Sequence, residues 1–299
     1  MKALMDKLSC KICKSEKVIP YINQSNSVNI NSNDVRITDD RYGKTLPLYK
    51  CENCTFIFAY PLPENIIELY ENLEDENYIS TLKPRSKEMR DILKEALKVK
   101  PDAKSILDVG AGIGLMVNES KKAGLNAVGI EPSKWLVSQA KNVFNLDIIE
   151  GIIPDDKLKN EKFDIIFAVD VIEHLEEPIK FLIDLKTMLN ENGIMVIATP
   201  DCDSFIAKKM KEKWWHFRLA HIGYFNRNSM TKAIQQASLN LIKFTKQVWY
   251  LPFGYLYQRL SSYLPIGFFY PVIKKMKNLD DLPVRLKLGD SMIAFINKK

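Results

Sequence analysis

The chain has 299 residues, 46% of them apolar, enough for one large domain with a substantial core and a small second one. No stretch offers the roughly 20 uninterrupted apolar residues of a membrane span. The opening residues are broken by Lys2, Asp6 and Lys7, unlike a secretory leader, so a cytoplasmic protein is expected.

The first chemistry in chain order is two C-x-x-C pairs, Cys10/Cys13 and Cys51/Cys54. Each pair can turn two thiolates onto one ion, which predicts a closed, structural Cys₄ zinc ribbon over residues 1–62. Disulfides are not expected without an export signal. The polar run Asn23–Asp34 reads as an inserted loop, and Cys202, standing alone, as a buried thiol. Residues 63–100 read as connecting helices and 101–299 as the main domain.

That domain opens with Ile-Leu-Asp-Val-Gly-Ala-Gly-Ile-Gly at 106–114. An apolar strand ends at Asp108, and Gly110, Gly112 and Gly114 let the main chain turn close to a ligand. A dinucleotide fingerprint would need glycine at 115, which is Leu115, so the pattern is G-x-G-x-G. A second strand, Asn126–Ile130, ends at Glu131, placed to take a ribose hydroxyl pair. Phe163–Val169 ends at Asp170, and Ile194–Thr199 follows the turn Asn190–Gly193. Helical patterns at about 113–123, 133–143 and 178–189 separate the strands. The expected fold class is α/β, a doubly wound, mostly parallel sheet with its ligand at the strands' C-terminal edge.

Asp170, Glu173 and His174 fall within one turn and could act as base, metal ligands or caps. His216, His221 and Tyr224 follow the next strand, before a helix capped by Asn226 or Asn228. His221 is the preferred proton acceptor. The last strand pair is expected at Leu239–Tyr250 and 289–298, with a proline-bearing insertion at 251–288 as a lid or acceptor-binding element.

Charge is uneven along the chain. Residues 201–299 hold 17 Lys/Arg and 6 Asp/Glu, residues 1–200 hold 26 and 31. The basic third also carries an aromatic cluster from Phe244 to Tyr270. It reads either as a solvated basic surface over an aromatic core or as a face for an anionic partner: a nucleotide sugar, a polyprenyl phosphate at a membrane surface, or RNA.

The G-x-G-x-G loop with its preceding acid resembles motif I of class I S-adenosylmethionine (SAM) methyltransferases. The segments FDIIFAVDVIEHLEEP and LNENGIMVIATP are similar to that family's fourth and fifth strands. The resemblance covers about residues 85–299 and implies a seven-stranded Rossmann-like sheet. It implies SAM seated on Asp108, Gly110, Ala111, Gly112 and Gly114, on Glu131 and Pro132, and on Asp170 and Val171. Relatives often place an acid after the third strand to accept from adenine. Here Ile152 follows Gly151, so apolar packing and backbone groups are expected, with Asp155 or Asp156 within reach.

The segment after the second cysteine pair looks like the junction between a zinc ribbon and a methyltransferase domain in sugar and surface-polysaccharide pathway enzymes. Sugar C-methyltransferases share the ribbon but carry a further C-terminal domain, for which this chain has no room. Acid-x-x-Glu-His resembles ubiquinone-type O-methyltransferases, where it can hold a divalent metal, and His221-Ile-Gly-Tyr-Phe-Asn226 resembles a His-x-x-Tyr-Phe motif of this group. The implied activity is O-methylation of a small molecule or glycan, with an anionic acceptor. Ribosomal RNA guanine methyltransferases also join a Cys₄ ribbon to a SAM fold. Strand four ends Asp-Val-Ile-Glu without their Pro-Pro signature, so nucleic acid is disfavoured. A non-catalytic SAM-binding module is a further rival.

Overall fold

The computed structural model describes residues 8–23, 30–38, 41–64, 66–261, 263–276 and 282–299. Residues 24–29, half of the inserted loop expected at Asn23–Asp34, lie outside them. Strands β1 (Val18–Ile22), β2 (Leu48–Cys51) and β3 (Ile57–Ala59) form an antiparallel N-terminal sheet. Helices α1 (Ile66–Glu71), α2 (Glu76–Ser80) and α3 (Leu82–Val99) follow, in the stretch read as connecting helices. Buried Leu82, Ile92, Leu93 and Ala96 form one face of α3, which stops short of Pro101.

Next come β4 (Ser105–Val109), α4 (Leu115–Lys122), β5 (Asn126–Glu131), α5 (Lys134–Phe144), β6 (Ile149–Glu150) and β7 (Phe163–Val169). After them run α6 (Pro178–Met188), β8 (Leu189–Pro200), α7 (Phe205–Met210), β9 (Gly223–Tyr224), α8 (Arg227–Gln236) and β10 (Leu239–Lys246). The chain ends with β11 (Trp249–Pro252), α9 (Phe253–Ser261), α10 (Tyr270–Lys275), β12 (Pro283–Leu286) and β13 (Ser291–Lys298). Among the described residues no helix is long and apolar enough to cross a membrane.

The main sheet has seven strands in the order β10-β13-β8-β7-β4-β5-β6. All neighbouring pairs are parallel except those made by β13, which runs antiparallel to β8 and β10. The expected doubly wound sheet is therefore present, and the strand order reverses between β4 and β7, where such folds open a crevice. Both faces are covered, which is why the strands read as near-continuous apolar runs. In β7, Phe163, Ile166 and Ala168 join one core while Ile165 and Phe167 join the other.

Two sequence expectations need correction. Gly114 is the left-handed N-cap of α4 (φ +82°), so that helix starts at Leu115 rather than 113. The strand expected at Leu239–Tyr250 breaks after Lys246, and Trp249–Pro252 leaves the main sheet to form a hairpin with β12 inside the insertion. The N-terminal sheet packs closely on the rest of the chain. β9 joins it through Ile57–Tyr224 and Phe58–Gly223 pairs, and the ribbon's cysteines share a core with Ile172, Phe225 and Met230. The sheet's opposite face packs Leu48 and Ile57 against Trp214, Phe217 and Tyr224.

Candidate active site

β4 delivers Asp108 and the glycine loop to the strand-order reversal. Gly110 has φ +69°, and a Cβ there would lie 2.5 Å from Val171 Cγ2, so only glycine lets this turn pass the end of β7. Glu131, buried at the end of β5, accepts from the Gly112 N–H at 2.8 Å and the Ser133 N–H at 3.0 Å. The carboxylate thus braces the loop that it faces. Burial, opposed by these two hydrogen bonds, raises its pKa. Burial, with Glu131 adding to it, pushes the Asp108 carboxyl up to about 8.

Ala111, Gly112, Pro132 and Ile152 line the same cavity as Asp108 and Glu131. Asp155 instead caps the Lys157 N–H and packs beside Gly151; neither it nor Asp156 lines the cavity. Gly151, Ile152 and Ile153 form that wall, as expected of apolar and backbone packing.

At the end of β7, Asp170 is half-buried in a left-handed conformation (φ +55°), and its buried Oδ1 has no hydrogen-bond partner. Burial raises its pKa against the pull of His216, Arg85 and Arg218. Val171 and a short 3₁₀ turn, Ile172–His174, follow. Glu173 is 1% exposed; Oε2 accepts from the Thr199 hydroxyl at 3.0 Å, and Oε1 has no partner. Burial, then Asp170, pushes its pKa well up. His174 Nδ1 lies 2.7 Å from Tyr70 Oη and 2.8 Å from the Ala220 carbonyl, which engages that nitrogen and leaves Nε2 to act. Burial pushes His174 down to about 4.

His221 lies across from this turn. Its ring stands edge-on to His174 at 4.8 Å and stacked with His216 at 5.9 Å, so all three histidines of the chain meet here. It is buried, and Nδ1 has no hydrogen-bond partner. Burial, then His174 and Arg218, push its pKa well down, so the imidazole is neutral and holds a free lone pair. His216 Nε2 sits 3.4 Å from Asp290 Oδ2.

The sequence spacing grouped Asp170 with Glu173 and His174. In the fold, the trio whose ligand atoms fall within 4.8 Å of one another is Glu173, His174 and His221. The reason is local: Asp170 precedes the 3₁₀ turn and its left-handed backbone turns it elsewhere, whereas Ile222 N–H bonds the Glu173 carbonyl and draws His221 in.

The cavity measures about 1120 Å³. Tyr70, Tyr78, Arg85 and Met89 from α1–α3 wall it, as do Val35, Ile37 and Tyr42 from the N-terminal segment. Sequence reading missed these residues; their one signal was a Tyr-rich connecting segment. Trp249, Leu251, Tyr255, Leu256, Tyr263 and Leu286 of the insertion close the outer end. Among the described residues of the basic C-terminal third, only Arg218 and Arg259 bring positive charge to the cavity, beside Asp108, Glu131, Asp170 and Glu173.

The four N-terminal cysteines converge, with Cys10 Sγ 3.4 Å from Cys54 Sγ and Cys13 Sγ 3.5 Å from Cys51 Sγ. The two knuckles are alike: Lys14 N–H bonds Cys10 O and Thr55 N–H bonds Cys51 O, each at 3.0 Å, with Lys14 and Thr55 left-handed. Four thiols this close fit the roughly 3.8 Å sulfur separation of tetrahedral zinc with 2.3 Å bonds. Cys202 stands apart and half-buried, with burial pushing its pKa up.

Residues 82–243, more than half of the chain, match a methyltransferase-domain family. With the strand order and glycine loop above, the chain belongs to this family and carries the class I SAM-methyltransferase fold. It is 29% identical over 127 residues to a ubiquinone biosynthesis O-methyltransferase of Bradyrhizobium diazoefficiens and 32% identical over 127 residues to one of Rhodopseudomonas palustris. Each match covers 40% of this chain and 44% of the relative, so the chain spans less than half the length of these curated relatives. Among solved structures it is similar to magnesium protoporphyrin IX methyltransferase from Synechocystis with bound S-adenosylhomocysteine. That match has 11% identity and a TM-score of 0.48, covering 76% of this chain and 90% of that one.

Proposed function

We propose that the enzyme methylates a hydroxyl oxygen of a small-molecule acceptor, with His221 as the proton acceptor. The carrying observation is the buried, unpartnered Nδ1 of a neutral histidine in the wall of the cavity that Gly110, Ala111, Gly112 and Glu131 also line. SAM supplies a methyl group made electrophilic by its sulfonium. The glycine turn leaves room for it, since a Cβ at Gly112 would meet nothing nearer than the Tyr78 hydroxyl at 3.5 Å. In this reading Asp108, Gly110, Ala111, Gly112, Glu131, Pro132, Ile152, Asp170 and Val171 hold SAM, whereas Gly114, expected among them, caps the helix behind the loop and faces Leu146 and Ile148, and half-buried Arg85 supports the cofactor's anionic end. The acceptor lies between His221 and the rings of Trp249, Tyr255 and Tyr263, which suit the face of a sugar or other ring. As the acceptor oxygen bonds to carbon, the carbon–sulfur bond breaks and the hydroxyl proton passes to Nδ1. His174, fixed by Tyr70 and Ala220, packs against His221 and orients it.

A sugar or surface-polysaccharide acceptor rests on the resemblance of residues 49–78 and on these aromatic walls. Zinc on Cys10, Cys13, Cys51 and Cys54 is structural in this proposal, since four cysteines leave no open position. The test is His221→Ala with radiolabelled SAM and a panel of nucleotide sugars, lipid-linked glycans and phenols. Turnover should fall about a hundredfold while calorimetric SAM affinity stays unchanged. Full turnover in His221→Ala would move the proton to His174 or Asp170.

A further inference from the structure

The insertion exposes a run of large apolar side chains. Leu264, Phe268, Phe269, Val272, Met276 and Leu282 are 51% to 70% exposed, along a segment that packs on itself and on the β11–β12 hairpin. Monomeric proteins rarely leave so many large side chains uncovered in one place. The patch is continuous with the cavity: Leu260, Leu264 and Leu288 are each more than a third exposed and also line its mouth. On the opposite rim Ile67 of α1 does the same.

Charge tells what covers it. Residues 251–288 hold six Lys/Arg and two Asp, and the two acids, at 280 and 281, lie outside the described residues. Lys275, Arg285 and Lys287 are exposed beside the apolar side chains. Two copies meeting through this face would bring like charges together, which costs free energy. An anionic bilayer satisfies both features. Aromatic and aliphatic side chains enter the headgroup boundary while the basic rim meets acidic lipids.

We propose that this insertion is a docking surface for an anionic lipid bilayer, placed so that the acceptor end of the cavity opens toward the membrane. The acceptor class that follows is a hydroxyl compound carrying an apolar chain, taken up along the leucine-lined mouth. This rests on the reading that the insertion closes the acceptor end. The docking itself requires neither SAM nor acceptor, so its test stands apart from any test of methyl transfer.

The experiment is flotation of the whole protein with vesicles of phosphatidylcholine containing 30% phosphatidylglycerol, and with phosphatidylcholine alone. Wild type should float with the anionic vesicles, at least tenfold less with the neutral ones, and less in high salt. Phe268→Ser with Phe269→Ser and Val272→Ser should cut flotation at least tenfold while leaving calorimetric SAM affinity unchanged, which certifies the fold. Lys275→Glu with Lys287→Glu should do the same through charge alone. Absence of flotation on anionic vesicles, or flotation equal in the triple variant, overturns the proposal. So does a wild-type dimer that the triple variant converts to monomer, because the patch would then be a self-interface.

Discussion

Stripping the zinc proposed for the four cysteines should loosen His221 while sparing the SAM end. The second knuckle reaches the histidine loop through three contacts. Asn226 Nδ2 donates to Thr55 Oγ1 at 2.8 Å, Asn228 Nδ2 donates to the Cys54 carbonyl at 3.1 Å, and the Phe56 and Phe225 rings lie 4.7 Å apart. Each hydrogen bond contributes about 1 kcal/mol net and the ring pair about 1 kcal/mol beyond burial. Freeing the turn at 51–55 therefore removes about 3 kcal/mol from the loop's resistance to opening, on the order of a hundredfold in its opening equilibrium. The Ile222 amide, bonded to Glu173 O, and the β9 amides report this directly. Hydrogen exchange of peptides spanning 218–228 should accelerate about a hundredfold after chelation. SAM affinity should change less than about threefold, since the Glu131 bridge lies at the other end of the cavity and residues 30–38 are held by Thr38–Asp75 and Arg218 bonds instead. Asn226→Asp offers a metal-independent version, keeping the acceptor for Ser229 N–H but losing the donor to Thr55. Unchanged exchange at 222–225 in folded, metal-free protein would refute the clamp.

Three further outcomes are expected. Glu131→Ala deprives the Gly112 and Ser133 amides of their acceptor and should weaken SAM binding by about 1.5–3 kcal/mol in calorimetry; an unchanged affinity would show that the loop holds its shape alone. His174 has its pKa lowered from 6.5 to about 4, so below pH 6.5 the unfolded chain takes up a proton that the folded one refuses. Stability is then full above pH 6.5 and falls as pH drops toward 4, by about 2 kcal/mol between pH 7 and 5 from this group. Urea midpoints should show that slope in wild type and a shallower one in His174→Gln. Metal analysis should find one zinc per chain, lost in Cys51→Ser with Cys54→Ser; retention in that double variant would place the metal elsewhere.

Much of the fold was legible because its signals are local. A strand buried on both faces is apolar along its buried length, as Ile165–Ala168 is; a turn at which a Cβ would fall 2.5 Å from a neighbouring side chain must use glycine, as at Gly110 beside Val171. Two C-x-x-C pairs are likewise recognisable without a partner, since each knuckle closes within five residues. From these alone follow the class of fold and a four-cysteine cluster.

Tertiary structure decided what those parts do to one another. β9 is two residues long and carries no periodicity of its own, yet it joins the ribbon to the main domain across more than 160 positions. Tyr70 meets His174, and Gln247 meets Glu88, from segments whose spacing has no repeat to detect. The histidine trio, the walls given by α1–α3 and the exposed basic, apolar insertion all arise where distant segments meet. A sequence records the propensity of each segment; which buried polar atom is left without a partner depends on every segment that packs around it.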